Sequence, residues 1–105
     1  DYIYHSFEIQ IDDASKGIHH TGSAYDAEAP SGSASKAPGE WNHFKITFQG
    51  KRIQVDLNGT RVLDWEEEPR GKVRDFAREG YIGLQNHDRR SPVHFRNIFV
   101  KDLTK

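Results

Sequence analysis

The chain is 105 residues long, 34% hydrophobic and 30% charged, with six His and neither Cys nor Met. That length fits one domain and excludes a two-domain enzyme. Fifteen Lys and Arg stand against sixteen Asp and Glu in a scattered pattern. With no basic stripe to neutralise phosphates, nucleic acid is excluded as an expected partner. Apolar runs last only a few residues, so no segment is expected to span a bilayer. Without Cys there is neither a disulfide framework nor thiolate chemistry. Without Met, Asp1 is expected not to be the encoded start; any signal peptide would have lain ahead of it, so its absence from the chain says nothing about secretion. A mean hydropathy of −0.86 in so small a unit predicts a thin core that is marginal without help.

Period-two alternation dominates, and no window gives a helical stripe. In Tyr2–Asp12, Ile3, Phe7, Ile9 and Ile11 share one face; Tyr2, Tyr4, Ser6, Glu8, Gln10 and Asp12 share the other. This predicts a strand with one apolar face and one face of aromatic, carboxylate and amide groups, a fit for a sheet that carries a site. Asp13–Lys16 reads as a turn closed by Gly17, and His20–Tyr25 (HTGSAY) as a short strand. Residues 26–40 (DAEAPSGSASKAPGE) have loop composition. A loop of that length in a small domain is functional or disordered.

Trp41–Gln49 alternates, Gly50-Lys51 turns the chain, and Ile53, Val55 and Leu57 alternate with Gln54 and Asp56. Asn58-Gly59 is the strongest short-range hairpin signal, because both residues tolerate positive φ. Arg61–Trp65 is the return strand, completing a three-stranded meander. Residues 66–79 form a charged loop broken by Pro69 and Gly71. Gly80–Asn86 reads as a strand with Ile82 and Leu84 inward. Val93–Leu103 reads as the last strand, with a parity shift that predicts a bulge near Asn97. The whole is expected to be all-β: an antiparallel sandwich or jelly roll in a single domain over 1–105.

The blocks EIQIDD (8–13), HTGSAY (20–25) with AP (29–30), PGEWNHFKI (38–46), IQVDLNGTRVLDW (53–65), GYIGLQNH (80–87) and VHFRNIFVKDL (93–103) resemble, in that order, the 3-keto-disaccharide hydrolase domain family. PGEWN and the LNG hairpin are individually weak signals; EIQIDD, HTGSAY and GLQNH together are specific. The resemblance implies a concanavalin/laminin-G-like jelly roll, a secreted or periplasmic setting and a carbohydrate ligand. That family's domain is about twice as long, so the chain is expected to match roughly its C-terminal half. An incomplete sandwich leaves unpaired edges. A second copy, as a homo-oligomer, or a separate N-terminal segment is expected to complete it.

Glu8, Gln10 and Asp12, about 7 Å apart stepwise on one strand face, offer the paired carboxylates of glycoside chemistry; the plain alternative is a solvated sheet face. His20 and His87 are the imidazoles of interest, and His20 is preferred to His19 because it opens a resembling block. His5, His43 and His94 read as surface or loop residues. An imidazole and a carboxylate can share a proton near neutral pH, or hold a divalent metal with Asp12 or Glu8, although no HxH or HExxH spacing is present. Tyr25 and Tyr4 lie beside these groups as rings for a pyranose face. Trp41 and Trp65 read as core or sandwich-edge residues. The Glu66–Glu68 run lacks calcium-loop spacing, and no phosphate loop or GxSxG elbow occurs.

The activity the resemblance implies is cleavage of a glycosidic bond next to a 3-keto sugar. The ketone acidifies the C2 hydrogen, a base removes it, the anomeric substituent leaves, and water adds. On this scheme His87 is the base, Glu8 or Asp12 the acid or metal ligand, and Gln10 and Gln85 bind hydroxyls. The alternative is a non-catalytic carbohydrate-binding or structural jelly-roll module, since the fold hosts both.

Overall fold

The computed structural model describes residues 7–68, 80–87 and 89–103. It is all-β and antiparallel, as the alternation predicts. Strands β1 (Phe44–Gln49), β2 (Arg52–Leu57) and β3 (Thr60–Glu66) form one sheet in the order β1-β2-β3. The sole helical element among the described residues is a 3-10 turn at Gly17–His19.

The hairpins follow their turn chemistry. Asn58 and Gly59 adopt φ of 53° and 84°, the two positive angles that match the twist of the flanking strands. β1 and β2 pair in unbroken register from Phe44↔Leu57 to Gln49↔Arg52. Between β2 and β3 the register shifts after Val55↔Leu63 to Asp56↔Arg61, so Val62 is an extra residue. This bulge accounts for two consecutive buried positions, Val62 and Leu63, where strict alternation would expose one. Across the strands, Arg61 grips Asp56 and Arg52 grips Asp64 on the outer face.

Ile53, Val55, Leu57, Val62, Leu63 and Trp65 make the sheet's contribution to the core, and Ala24 and Ala27 close it from the other side. Those alanines lie in an irregular second layer. There residues 8–12 run antiparallel to 21–25: Tyr25 N–H donates to Glu8 O, Gln10 N–H to Ser23 O, and Thr21 N–H to Asp12 O. Gly22 N–H also donates to Gln10 O, so two residues oppose one and the ladder is locally bulged. Gly22 has φ of 94°, and a Cβ there would sit 2.9 Å from Val62 Cγ2. The close approach of the two layers therefore requires glycine at this position.

Several predicted elements differ. The strand expected over Tyr2–Asp12 is reduced, within the described residues, to an isolated bridge at Ile9↔Ala24; Tyr2–Ser6, Tyr4 included, lie outside them. Phe7 and Ile9 pack on the core as expected, but Ile11 is 49% exposed because the chain turns at Asp12. Among the described residues, His20–Tyr25 makes bridges only at Ala24, to Ile9 and Glu28. β1 starts at Phe44, not Trp41, since Asn42 Oδ1 is taken by Lys36 N–H and Asn58 Nδ2.

Of the two tryptophans, Trp65 is core, while Trp41 is 47% exposed at the edge with the Arg96 guanidinium 3.9 Å over its ring. Gly80–Asn86 and Val93–Leu103 are not strands. Neither segment joins a ladder among the described residues, and Ile82 and Leu84 face outward, Ile82 at 79% exposure. Alternation specifies a strand only where a partner edge receives it. At Asn97 a left-handed φ of 53° interrupts the segment where a bulge was predicted. Residues 69–79 of the charged loop lie outside the described residues, and Glu66 belongs to β3.

Candidate functional site

The polar run after Ile11 folds back on itself through Asp12. One oxygen of its carboxylate accepts the N–H groups of Ala14 and Ser15 at 3.1 and 3.2 Å; the other accepts Ser15 Oγ–H at 2.7 Å. A short acidic side chain capturing backbone amides two and three residues on is what makes Asp a turn former. The Ser15 hydroxyl, the Ser15 and Ala14 amides and the nearby His20 hold the Asp12 carboxyl below its usual range. It is therefore an ionised acceptor at neutral pH. Asp13 Oδ1 accepts Thr21 Oγ1–H at 2.5 Å and Ser35 Oγ–H at 2.7 Å, so it joins the turn to the 31–35 loop.

His20 follows the 3-10 turn and is half-buried. Its Nδ1 lies 2.8 Å from Ser15 O. A carbonyl can only accept, so Nδ1 carries the hydrogen, and in the neutral ring Nε2 is the lone-pair nitrogen. Ser33 Oγ–H donates to that nitrogen at 2.9 Å. A shallow cleft of about 320 Å³ opens here, lined by Asp13, Ser15, Lys16, His20, Pro30 and Ser33 together with two glycines. Lys16 is exposed and forms no ion pair among the described residues, which leaves an ammonium free to meet a developing anion.

The residues predicted from sequence fall into two groups. Asp12 and His20 come together through Ser15. Glu8 is exposed and Gln10 half-buried on the adjoining antiparallel segment, and neither lines the cleft. Tyr25 is half-buried with its ring 5.1 Å from that of His19, while His19 Nε2 lies 3.1 Å from Asp26 Oδ1. The adjacent His19 and His20 thus serve different neighbours. Gln85 and His87 are exposed on the 80–87 segment and do not line the cleft. Tyr4 lies outside the described residues. Among the described residues no group of three or more His, Asp or Glu is arranged to hold a metal ion.

Sequence reasoning missed Asp13, Ser15, Lys16 and Ser33. A signal did exist: DDASKG is an Asx-turn composition immediately before the preferred His. Ser33 gave none, because its partner lies 13 residues away across an aperiodic loop.

With this geometry in view, comparison with known proteins gives two matches. A family model described as the 3-keto-alpha-glucoside-1,2-lyase-like domain matches residues 1–101. The match runs along nearly the whole chain, which corrects the expectation of correspondence to roughly the family's C-terminal half alone. Among solved structures, the chain is similar to a protein of Parabacteroides distasonis ATCC 8503 provisionally named a glycosyl hydrolase, whose crystal structure is at 2.00 Å resolution. The two share 35% identity with a TM-score of 0.58, over 63% of this chain and 38% of that one. The chain thus spans well under half of that protein's length. No curated protein matches the chain.

Proposed function

The chain belongs to the 3-keto-alpha-glucoside-1,2-lyase-like domain family, and from that membership we propose that it cleaves a glycosidic bond beside a 3-keto sugar. The family match, joined by the glycosyl hydrolase name of the structural neighbour, supports a carbohydrate-active role. The observation that carries the finer reading is the fixed proton on His20 Nδ1, which makes Nε2 a base facing a cleft that also holds Lys16.

In this reading His20 Nε2 removes the hydrogen at C2 of the keto sugar, and Lys16 stabilises the charge that develops on the C3 oxygen. Asp13 accepts hydroxyl hydrogen bonds from the sugar. Asp12 acts one step back, holding Ser15 so that its carbonyl orients the imidazole. Glu8, Gln10, Gln85 and His87 are then groups outside the reacting centre. The setting is secreted or periplasmic, as the family resemblance implies.

Release of reducing sugar from a 3-keto-disaccharide tests the reading. The expected result is turnover that falls about 100-fold in His20→Ala and is little changed in His87→Ala. Unchanged turnover in His20→Ala moves the base elsewhere; absence of turnover in the unsubstituted chain overturns the activity. Binding without cleavage would establish the second reading, a sugar-binding module.

The same reading includes further polypeptide, from a second copy or another segment, completing the sandwich. It is supported by the exposure of Ile82, Leu84, Ile98, Phe99 and Val100, with Phe99 at 89%. A monodisperse monomer in sedimentation at micromolar concentration would overturn the second-copy form.

A further inference from the structure

We propose that Ser33 is an activated nucleophile and that the cleft carries a second, acyl-transfer activity toward short-chain esters. The inference goes beyond glycoside cleavage and shares with it the His20 base and the Lys16 cation.

The observation is a directed chain of three groups. Ser33 Oγ–H donates to His20 Nε2 at 2.9 Å, and His20 Nδ1–H donates to Ser15 O at 2.8 Å. A nucleophile within hydrogen-bond reach of a base, itself oriented by a third group, is the arrangement that activates a hydroxyl. The orienting group here is a backbone carbonyl. It fixes the tautomer as a carboxylate would, because it accepts only from Nδ1 and so leaves Nε2 open to take a proton. The carbonyl is itself positioned, since Ser15 is held at its amide and hydroxyl by Asp12.

Three further features fit an ester. Ser33 is exposed, so an electrophile can reach it. The cleft is shallow and about 320 Å³, a size for a small acyl group on a larger alcohol. Lys16 lines the same cleft and has no competing ion pair among the described residues, so the cleft that would hold the oxyanion also holds a cation. The neighbouring serines differ: Ser35 Oγ–H is committed to the Asp13 carboxylate and Ser31 does not line the cleft.

The reaction balances without a cofactor. Ser33 Oγ attacks the ester carbonyl carbon as its proton passes to His20 Nε2. The tetrahedral adduct then expels the alkoxide, which leaves as alcohol with that proton. Water attacks the acyl-serine, giving a proton to Nε2 that returns to Ser33 Oγ as the carboxylic acid departs.

A fluorophosphonate probe and p-nitrophenyl acetate test this on the unsubstituted chain. Mass spectrometry is expected to find one phosphonyl adduct, on Ser33 and on neither Ser31 nor Ser35. Labelling is expected to vanish in Ser33→Ala and to slow about 100-fold in His20→Gln, with p-nitrophenol release falling in parallel. The comparison among the three serines needs no variant, so it stands even if His20→Gln fails to fold. Absence of an adduct at Ser33, or equal labelling of the three serines, overturns the proposal and leaves the hydrogen bond as a loop fastening. These readouts involve no keto sugar, so their failure is distinct from failure of the glycoside assay.

Discussion

Asp12 and His20 hold the same residue from its two ends: the carboxylate receives the Ser15 amide and hydroxyl hydrogens, and the imidazole gives its Nδ1 hydrogen to the Ser15 carbonyl. Truncating Asp12 therefore acts on His20 without touching it. Asp12→Ala is expected to cost about 1 kcal/mol, as for loss of a capping side chain, and to shift the His20 ring resonances in an NMR spectrum. Asp12→Asn retains an acceptor for the amides and should cost less. An unshifted His20 resonance in Asp12→Ala would show that Ser15 is held by other means.

Acid sensitivity follows from the same carboxylate together with Asp56 and Asp64. All three are held below the usual carboxylate range, Asp12 chiefly by Ser15, Asp56 by Arg61 and Asp64 by Arg52. The folded chain then binds fewer protons than the unfolded chain through the carboxylate range. The contribution is present above about pH 4 and is lost as pH falls through the lowered folded values. Thermal unfolding midpoints are expected to drop on acidification below about pH 4. The drop should be shallower in Asp12→Asn, and an identical acid limb in that variant would remove Asp12 from the account.

Gly22 tests how tightly the irregular layer lies on the sheet. Gly22→Ala places a methyl 2.9 Å from Val62 Cγ2 at a φ of 94°, and it is expected to destabilise by about 2–3 kcal/mol from overpacking and strain. In a Val62→Ala background the steric part disappears and the φ part remains. A double-mutant cycle by urea denaturation should thus show coupling of about 1 kcal/mol or more. Strict additivity would mean that the layers separate there.

Ser23 presents the opposite case. Its hydroxyl is fully buried with no hydrogen-bond partner among the described residues. Ser23→Ala removes that desolvation cost and should raise stability by about 1 kcal/mol. A loss of stability would reveal a hydroxyl partner.

Asn58 joins a turn to a loop. Its Oδ1 accepts His43 N–H, while Nδ2 donates to Ala34 O and to Asn42 Oδ1. Asn58→Gly keeps the positive φ but loses these bonds, at a cost of about 2 kcal/mol. Asn58→Ala adds roughly 1 kcal/mol for a left-handed Cβ. Equal stability of the two variants would assign the whole effect to the side-chain bonds.

What the sequence discloses depends on how local the determinant is. The Asn58-Gly59 turn and the Ile53–Val55–Leu57 face are encoded within a few residues, so the β1–β2–β3 meander was legible. The Val62 bulge was not: it answers to Gly22, 40 positions away, through a close approach that no periodicity announces. Ile82 and Leu84 alternate correctly yet make no strand, because alternation cannot supply a partner edge. At the candidate site, His20 was legible as a choice between neighbours, whereas Ser33 was hidden in a loop whose composition is uniformly small and polar. Asp12 was legible as a residue, but its bonds to Ala14 and Ser15 follow from a turn whose geometry the run of polar letters leaves open.

The bond from Asn58 Nδ2 to Ala34 O has a bearing on how the molecule ages. Asn is among the thermolabile residues, open to slow loss of its side-chain amide. Conversion of Asn58 to aspartate would exchange a donor for an anion facing the carbonyl of Ala34, the residue next to Ser33. A protein stored long enough would then lose the fastening of the serine loop while keeping its sheet. The imidazole beside that loop would register the damage before any global unfolding did.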